Sequence, residues 1–411
     1  MKLYFKNIFN HYSIIMLIGV ALFSCKHEQN TGIPQISVDL NDTTSRYISD
    51  IAKSVEYIPL EMTSESSIGQ IARMELVDNY FVILEDNLNA IYFFKTDGSY
   101  SHKISNKGLS PIDSYEKISD FSINRKDRKI LIRDAYRNKI VVYSYSGKKL
   151  AENDWPFSFL ETNSTSGATV FYKGNTSFKN EALLETKGIK FNNLISTDLH
   201  GGIFTSAIPF NPNAIKKNEL FNVSKTLYSS SDSVLFFSEP YNYTVYRVFK
   251  ANIRPAYTIS FSTDDRLPDD FLTNQKYFGA RKKYTNQNKN VIWSCSDVYL
   301  QNNRFLTFNL QSQKDLYKTF VYDLKTKKYV DMNNIYSQDE FNNLLPVMGD
   351  KIEASDNNFL YSYLTAHDMF EVAKITGISK NINNNPPLKN FYATSSNLGN
   401  PVVTKIKFKA I

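Results

Sequence analysis

The chain has 411 residues, of which 42% are hydrophobic, so it is long enough to bury a large core. Aromatic residues make up 14% of the chain and glycine occurs only 15 times, which favours strands over helices. The formal net charge of +7 comes from scattered lysines and arginines, which excludes a nucleic-acid-binding stripe, and we expect no nucleic-acid partner.

The N-terminus has the pattern of a bacterial lipoprotein signal. Lys2 and Lys6 precede an apolar run at residues 14–23, and residues 22–25 (LFSC) form a lipobox. The apolar run, about 10 residues long, is shorter than the roughly 20 that a spanning helix needs. The sequence therefore predicts a cleaved signal peptide over 1–24 and a lipid on Cys25, although an ordinary signal peptide containing a cysteine is the alternative.

The segment after the lipobox is polar and lacks an apolar period, so we expect a flexible tether over 25–35. Lys26 follows the acylated cysteine, where enteric bacteria place aspartate in proteins that they retain at the inner membrane. The absence of aspartate at this position favours a lipid anchor in the outer membrane, on the periplasmic or the surface face.

A repeat with an offset of 49 residues begins the folded part of the chain. Each unit has a strand, a turn containing an acidic residue, an aromatic strand and a glycine turn. Such periods predict β-propeller blades, which stack around an axis. The paired segments are 81–83 (FVI) with 130–132 (ILI), Asn89 with Asn138, and 91–98 (IYFFKTDG) with 140–147 (IVVYSYSG).

Later units are more divergent and bring the predicted number of blades to six. We therefore predict an all-β fold, a six-bladed β-propeller over 36–411, closed by both chain ends in a shared blade. Polar insertions are expected at 267–290, with a helix starting at 268–270, and at 337–341. The strand pairs of the later units are 194–198, 234–237 with 244–248, 305–308 with 320–323, and 359–363 with 402–408.

In this order of segments, the chain resembles the six-bladed β-propeller lipoproteins of Bacteroidetes, distant relatives of the NHL-repeat propellers. The resemblance covers nearly the whole mature chain and implies the fold and an envelope location rather than one activity. The family usually has a glycine-rich loop (GRGPGEY type) before the second inner strand, whereas residues 106–115 here read NKGLSPIDSY. The segments that carry the resemblance are 54–61 (SVEYIPLE), 91–94 with Asp97 and Gly98, 118–121 (ISDF), 257–261 (YTISF) and 400–403 (NPVV).

Motifs of known catalytic or metal sites are missing from the sequence. It has no GxSxG elbow, phosphate loop, HExxH motif or cysteine pair, so we expect no cofactor and no metal. If Cys25 carries lipid, Cys295 has no disulfide partner and is expected to be a buried, inert thiol. The acidic residues Asp86, Asp134 and Asp297 are interpreted as turn caps rather than calcium ligands.

Propellers offer a concave site at the mouth of the central channel, near the inner strands and the loops that enter them. Aromatic and arginine side chains there can stack on a sugar or pair with a carboxylate, although they can also be rim residues without a ligand. The ligand-binding candidates are Lys107 and Tyr115 on the entry loop, Asp120 beside an inner strand, and Arg133 with Tyr136 near a turn.

Two functions fit this sequence. The first is a non-catalytic binding or scaffold protein of the envelope, with a glycan, peptide or protein partner in nutrient capture or sensing. The alternative is a propeller hydrolase or lyase that uses carboxylates at the channel mouth. No acid–base constellation is visible, which favours binding.

Overall fold

The computed structural model describes residues 32–85, 87–105, 115–134, 136–154, 157, 159–165, 167–176, 181–198, 201–215, 225–231, 233–378 and 380–411. Cys25, the predicted signal peptide and most of the tether lie outside the described residues, as do Lys107 and Asp86. Residues 35–411 form one compact unit.

Most regular structure in this unit is strand. In chain order the first strands are β1 (Gln35–Ser37), β2 (Arg46–Tyr47), β3 (Ala52–Pro59), β4 (Ile71–Val77), β5 (Tyr80–Glu85), β6 (Ala90–Lys95), β7 (Tyr100–Ser105), β8 (Ile118–Asn124), β9 (Lys129–Asp134), β10 (Lys139–Ser144), β11 (Lys149–Asp154), β12 (Glu161–Thr165), β13 (Ala168–Tyr172) and β14 (Asn192–Thr197). They continue with β15 (Ile203–Pro209), β16 (Leu227–Ser231), β17 (Val234–Phe237), β18 (Thr244–Phe249), β19 (Asn252–Ser260), β20 (Ser294–Gln301), β21 (Phe305–Gln311), β22 (Lys318–Asp323), β23 (Lys328–Asp331), β24 (Ile335–Tyr336), β25 (Ala354–Ser355), β26 (Leu360–Leu364) and β27 (Val402–Phe408).

The helices of the described residues are short and lie between strands. They are α1 (Ile48–Ile51), α2 (Ala182–Thr186), α3 (Arg281–Gln287), α4 (Asp339–Asn342), α5 (Ala366–Thr376) and α6 (Pro386–Thr394), with 3-10 turns at Pro212–Ala214, Thr263–Asp265, Gln275–Tyr277, Met332–Asn334 and Lys380–Asn384. Both longer helices begin with a side-chain cap. Thr365 and Asp368 form a capping box on α5, and Asn385 accepts a hydrogen bond from the Leu388 N–H on α6.

Successive strands pair antiparallel into four-stranded sheets, which we number in chain order. Sheets 1 to 3 are β4–β7, β8–β11 and β12–β15, sheet 4 is β16–β19 with β1 added in parallel, sheet 5 is β20–β23, and sheet 6 joins β25, β26, β27 and β3. The first strands of neighbouring sheets contact one another. Apolar side chains fill the space between the sheets. This is a propeller-like fold.

The repeat predicted from the sequence is confirmed by sheets 1 and 2. Asn89 in sheet 1 and Asn138 in sheet 2 occupy equivalent turns, with φ of 51° and 52°. Gly98 and Gly147 occupy the equivalent next turns of the two sheets, with φ of 90° and 82°. Asparagine and glycine are the residues that tolerate this left-handed region. A Cβ on Gly98 would also lie 2.2 Å from the Pro59 carbonyl oxygen.

A strand near the start of the folded unit, β3, and the last strand, β27, share sheet 6, as predicted, whereas β1 joins sheet 4. β27 pairs with β26 on one side and with the N-terminal strand β3 on the other, where Thr404 lies opposite Tyr57. β27 is therefore a central strand, and β3 covers the edge that it would otherwise expose.

The helix predicted to start at 268–270 is wrong, whereas a short helix at 337–341 is confirmed by α4. The Phe271 N–H donates to the Pro268 carbonyl at 2.9 Å in a turn, and α3 begins only at Arg281. The ring of Phe271 is 2% exposed and lies 4.6 Å from the Tyr277 ring and 5.2 Å from the Tyr284 ring. Burial of this aromatic group overrides the local helix signal.

Candidate functional site in the central channel

Charged side chains from the first strands meet where these strands face one another. Arg73 and Glu75 on β4, Asp120 on β8 and Glu161 on β12 are each 8% exposed or less. Together with Lys225, which precedes β16 and is 5% exposed, they form what we call the channel cluster. Burying an unpaired charge this deeply costs free energy, so the partners of each group determine whether it is charged or neutral.

Arg73 lies at the centre of the channel cluster. Its Nη1 is 2.6 Å from Asp120 Oδ1 and 3.8 Å from Glu161 Oε1, and its Nη2 is 3.1 Å from Glu75 Oε1. Burial would lower the pKa of Arg73, but the three carboxylates outweigh burial and raise it well above its usual value. The guanidinium therefore stays charged and joins the first strands of three sheets.

Glu75 receives further cations. Lys225 Nζ lies 3.2 Å from Glu75 Oε1, and Arg125 Nη2 lies 3.7 Å from Glu75 Oε2. Burial alone would raise the pKa of Glu75, but the cations, of which Lys225 is the strongest, lower it to about 2. Lys225 Nζ also donates to the Tyr299 hydroxyl at 3.0 Å and the Glu353 carbonyl at 3.4 Å, so sheets 5 and 6 join the network.

Glu161 differs from Glu75 in its balance of forces. It accepts hydrogen bonds at 2.6 Å from both the N–H and the hydroxyl of Thr226, and one at 3.1 Å from the Leu227 N–H. Burial nevertheless raises the pKa of Glu161 to about 7, because it exceeds the effect of Arg73 and because Asp120 adds repulsion. Glu161 is thus a carboxyl group of the channel cluster whose pKa lies near neutral pH.

Of the five residues predicted to bind a ligand, the structure describes four, and these four do not all lie together. Asp120 lies in the channel cluster, and its Oδ2 also accepts a hydrogen bond from the Thr162 N–H at 3.1 Å. Arg133 on β9 is half-buried beside it, donates to Ser119 Oγ at 3.0 Å and lies 5.1 Å from the Phe159 ring centroid. Burial lowers the pKa of Arg133 and Asp120 opposes this.

Tyr115 and Tyr136 lie apart from this pair. The Tyr115 ring is 2% exposed between sheets 1 and 2, and its hydroxyl donates to the carbonyls of Asn89 at 2.7 Å and Ile104 at 3.3 Å. Tyr136 is 73% exposed in the β9–β10 turn. With Lys107 outside the described residues, a ligand role for these five residues stays a prediction, and the channel brings only Asp120 and Arg133 close together.

The sequence analysis missed Arg73, Glu75, Glu161 and Lys225. One signal for the first two was available, because Arg73 and Glu75 lie two residues apart within the apolar strand IARMELV. Charges at such spacing lie on one face of a strand. An apolar strand of a closed fold that carries two charges on one face needs buried partners for them.

A cavity of about 350 Å³ opens at the end where the first strands of sheets 1 and 6 begin. We call it the mouth cavity. Its lining carries three carboxylates and one ammonium, from Asp350, Glu353, Asp368 and Lys351, and two phenol rings, from Tyr317 and Tyr363. Lys351 Nζ lies 3.5 Å from Glu353 Oε1. A larger open groove of about 940 Å³ runs along α6, but the channel cluster does not reach it.

Two further residues singled out in the sequence, Cys295 and Asp134, have structural roles. Cys295 is 1% exposed, as predicted, and burial raises the pKa of its thiol far above its usual value. Asp134 is confirmed as a turn cap, since it accepts hydrogen bonds from the N–H groups of Glu116, Lys117 and Arg137. Among these residues no group of three or more His, Cys, Asp or Glu side chains could hold a metal ion.

Within the described part of the chain, no helix is long and apolar enough to cross a membrane. No curated protein matches the sequence.

Solved structures similar to this chain include several from Bacteroides species. A Bacteroides fragilis protein described as exported is 17% identical, with a TM-score of 0.68, over 91% of this chain and 99% of that chain. A member of the DUF4221 family from Bacteroides vulgatus is 11% identical, with a TM-score of 0.45, over 87% and 97%. At 17% identity, the likeness to the Bacteroides fragilis protein concerns the fold alone.

A sequence family described as a domain of unknown function, DUF4934, matches residues 33–407. The match includes strands of all six sheets and begins within the predicted tether, after the predicted lipobox. The chain therefore belongs to the DUF4934 family.

Proposed function

We propose that this protein is a six-bladed β-propeller of the cell envelope, anchored in the outer membrane by lipid on Cys25, that binds a ligand at the channel mouth without transforming it. The fold part is supported by sheets 1 to 6, by contacts between their first strands and by the closure of sheet 6 by both chain ends. The envelope part is supported by the lipobox and by the exported protein of Bacteroides fragilis that shares the fold.

The mouth cavity above an internally paired channel is the observation that carries the binding function. Glu75, Asp120 and Glu161 each accept hydrogen bonds from protein groups, so the channel cluster holds its own charges. The mouth cavity, by contrast, exposes the Asp350 carboxylate and the half-buried rings of Tyr317 and Tyr363. A concave site with a few polar groups and aromatic walls is the usual form of a binding pocket.

The charge of the mouth cavity favours a cationic ligand. Its carboxylates outnumber its ammonium group, and phenol rings attract cations through their faces. We therefore propose that the mouth cavity binds the basic side chain or the amine of a peptide. Such binding would suit peptide capture or sensing in the envelope.

Titration of the purified full-length protein with end-capped trilysine and triglutamate peptides tests this assignment. Trilysine should bind, added salt should weaken its binding, and Asp350→Asn should weaken it up to about fivefold, as expected for one exposed charge pair. Asp269→Asn, an exposed aspartate on the 267–290 insertion, should leave the affinity unchanged. Equal binding of triglutamate, or no effect of Asp350→Asn, would count against the cationic ligand.

One observation favours the alternative function of a hydrolase or lyase. The pKa of Glu161 is raised to about 7, in the range that suits a general acid. Turnover of a polysaccharide or peptide by the wild type that disappears in Glu161→Gln would decide for the enzyme.

The lipid anchor makes a separate prediction. Cys25→Ala should leave the protein out of the membrane fraction or uncleaved, because the thiol that accepts the diacylglycerol is gone. Mass spectrometry of the membrane-bound wild type should find the acylated cysteine at the mature N-terminus. Cys295→Ala, at the buried second cysteine, should not change the location. A Cys25→Ala protein that stays in the membrane at the mature size would exclude the anchor.

A further inference from the structure

A second cavity lies between sheets 3 and 4, at the β13–β14, β15–β16, β17–β18 and β19–β20 connections. We call it the side pocket. Its volume is about 490 Å³, within the roughly 300–1,000 Å³ typical of small-molecule sites. It shares no lining residue with the mouth cavity. Its occupant can therefore be considered independently of the cationic ligand at the mouth.

One wall of the side pocket is polar and fixed. Asn193 Nδ2 donates to Asn175 Oδ1 at 2.9 Å and to Glu239 Oε2 at 3.1 Å, while Asn193 Oδ1 accepts from the Asn175 N–H at 2.7 Å. These residues are 9%, 1% and 6% exposed in the order Asn175, Asn193, Glu239. A row of two amides and a carboxyl group, held in place by one another, is preorganised for hydrogen bonding.

Among the residues that the structure describes, no cation pairs with the carboxyl group of this wall. None of the salt bridges among the described residues includes Glu239, and burial raises its pKa to about 7 against the hydrogen bonds of Asn242 and Asn193. At neutral pH the group thus exchanges between carboxylate and carboxylic acid, and can accept or donate a hydrogen bond. A site of this kind suits hydroxyl groups, which also do both.

Arg281 lines the same pocket, but its guanidinium donates hydrogen bonds to backbone carbonyls of the neighbouring connections. It is 0% exposed and donates to the carbonyls of Ala214 at 2.9 Å, Leu272 at 3.1 Å and Phe271 at 3.3 Å. These bonds tie the β15–β16 connection to the β19–β20 connection. The arginine therefore shapes the pocket and does not recruit an anion.

Several other lining residues of the side pocket are apolar. Phe210 and Phe278 are half-buried, Leu272 is 36% exposed, and the guanidinium carbon of Arg281 lies 5.2 Å from the Phe278 ring centroid, which fixes that ring. A pocket whose lining combines partly exposed aromatic rings with amide and carboxyl groups matches a sugar, whose ring has an apolar C–H face and a rim of hydroxyls.

We propose that the side pocket binds a neutral sugar residue, with its hydroxyls on Asn175 and Glu239, which Asn193 holds in place, and its ring on Phe210 and Phe278. Among the described residues no cation pairs with Glu239, and the guanidinium of Arg281 is engaged by backbone carbonyls, so this wall favours a neutral group over an anionic one. Because two amides accompany one carboxyl group, hydrogen bonding rather than charge dominates the wall.

The test is a titration of the full-length protein with N-acetylglucosamine, chitobiose, cellobiose, mannobiose and maltose, followed by saturation-transfer NMR and calorimetry. At least one of these sugars should bind with a dissociation constant below about 10 mM. Phe278→Ala should weaken that binding about tenfold through loss of ring stacking. Leu272→Trp, which fills the pocket from an exposed position, should abolish it.

Two controls separate this site from the rest of the surface. Phe204→Ala removes a phenyl ring that is 46% exposed on β15 outside the pocket and should leave binding unchanged. Asp350→Asn, which tests the mouth cavity, should also leave it unchanged, so either proposal can fail alone. The proposal is overturned if no sugar of the panel binds, if Leu272→Trp binds as the wild type does, or if n-butylamine binds the pocket and no sugar does.

Discussion

Thr404→Pro is expected to destroy the cooperative folding of the whole propeller-like unit. Thr404 lies in the middle of β27, opposite Ser362 on β26 and Tyr57 on β3. Proline removes an N–H from a strand that is paired on both sides, at a cost of about 3 kcal/mol or more. Typical domains have only about 5–15 kcal/mol of stability, and β27 is the strand that joins both chain ends. Urea unfolding followed by tryptophan fluorescence should show a lost or greatly weakened transition.

Thr404→Val is the matched control at the same position. Thr404 is 0% exposed, and its hydroxyl has no hydrogen-bond partner among the described residues. Removing a buried, unpaired hydroxyl should leave the stability unchanged or raise it by about 1 kcal/mol. If the proline and valine variants unfolded at the same urea concentration, closure through β27 would not hold the fold together.

Arg73→Met is expected to cost about 3–5 kcal/mol of unfolding free energy at neutral to alkaline pH. The change removes the only charge that contacts Glu75, Asp120 and Glu161 together, and leaves buried carboxylates with fewer partners. Breaking a buried ion pair by deleting one partner has a cost of this size, because the remaining charge stays desolvated. Urea unfolding at about pH 8 measures it.

The loss of unfolding free energy in Arg73→Met should become smaller as the pH falls. Arg73 opposes the rise in the pKa of Glu161, so without the guanidinium this folded-state pKa lies still further above the unfolded value of about 4.5, and the folded state binds more protons between the two. The destabilisation is then fully present above the folded pKa and is relieved towards about pH 5.

The control is Arg128→Met. This residue forms an exposed ion pair with Asp78, with side chains 63% and 40% accessible, and its loss should cost less than about 1 kcal/mol at either pH. A deficit of Arg73→Met that equals that of Arg128→Met, or that does not change with pH, would contradict a structural role for the channel cluster.

Local sequence patterns predicted the sheets because their causes are local. Alternating and continuous apolar runs define strands, and the repeated asparagine and glycine positions mark turns whose φ is positive. The 49-residue offset therefore predicted sheets 1 and 2 strand by strand. Closure also followed from the sequence, because an apolar strand at each end of a stacked repeat needs a partner.

Local sequence patterns failed in two places, at the helix start predicted at 268–270 and at Tyr115. Pro268 with two aspartates is a valid helix start, yet burial of Phe271 determines that segment. Tyr115 reads as an accessible loop residue, but it fills the space between sheets 1 and 2, and its hydroxyl completes two backbone hydrogen bonds there. In both cases packing against distant residues outweighs the local preference.

The sequence by itself determined the strand content, the repeat, the closing sheet, the inert Cys295 and Asp120 as a residue near an inner strand. Only the tertiary structure decided the chemistry of the channel. Arg73 contacts Asp120 across 47 positions and Lys225 contacts Glu75 across 150, so no local window contains either pair. The propeller-like fold brings the first strands of several sheets side by side, and burial there forces charges to find partners that are remote in the chain. The side pocket has the same origin, since its polar wall joins connections of two sheets.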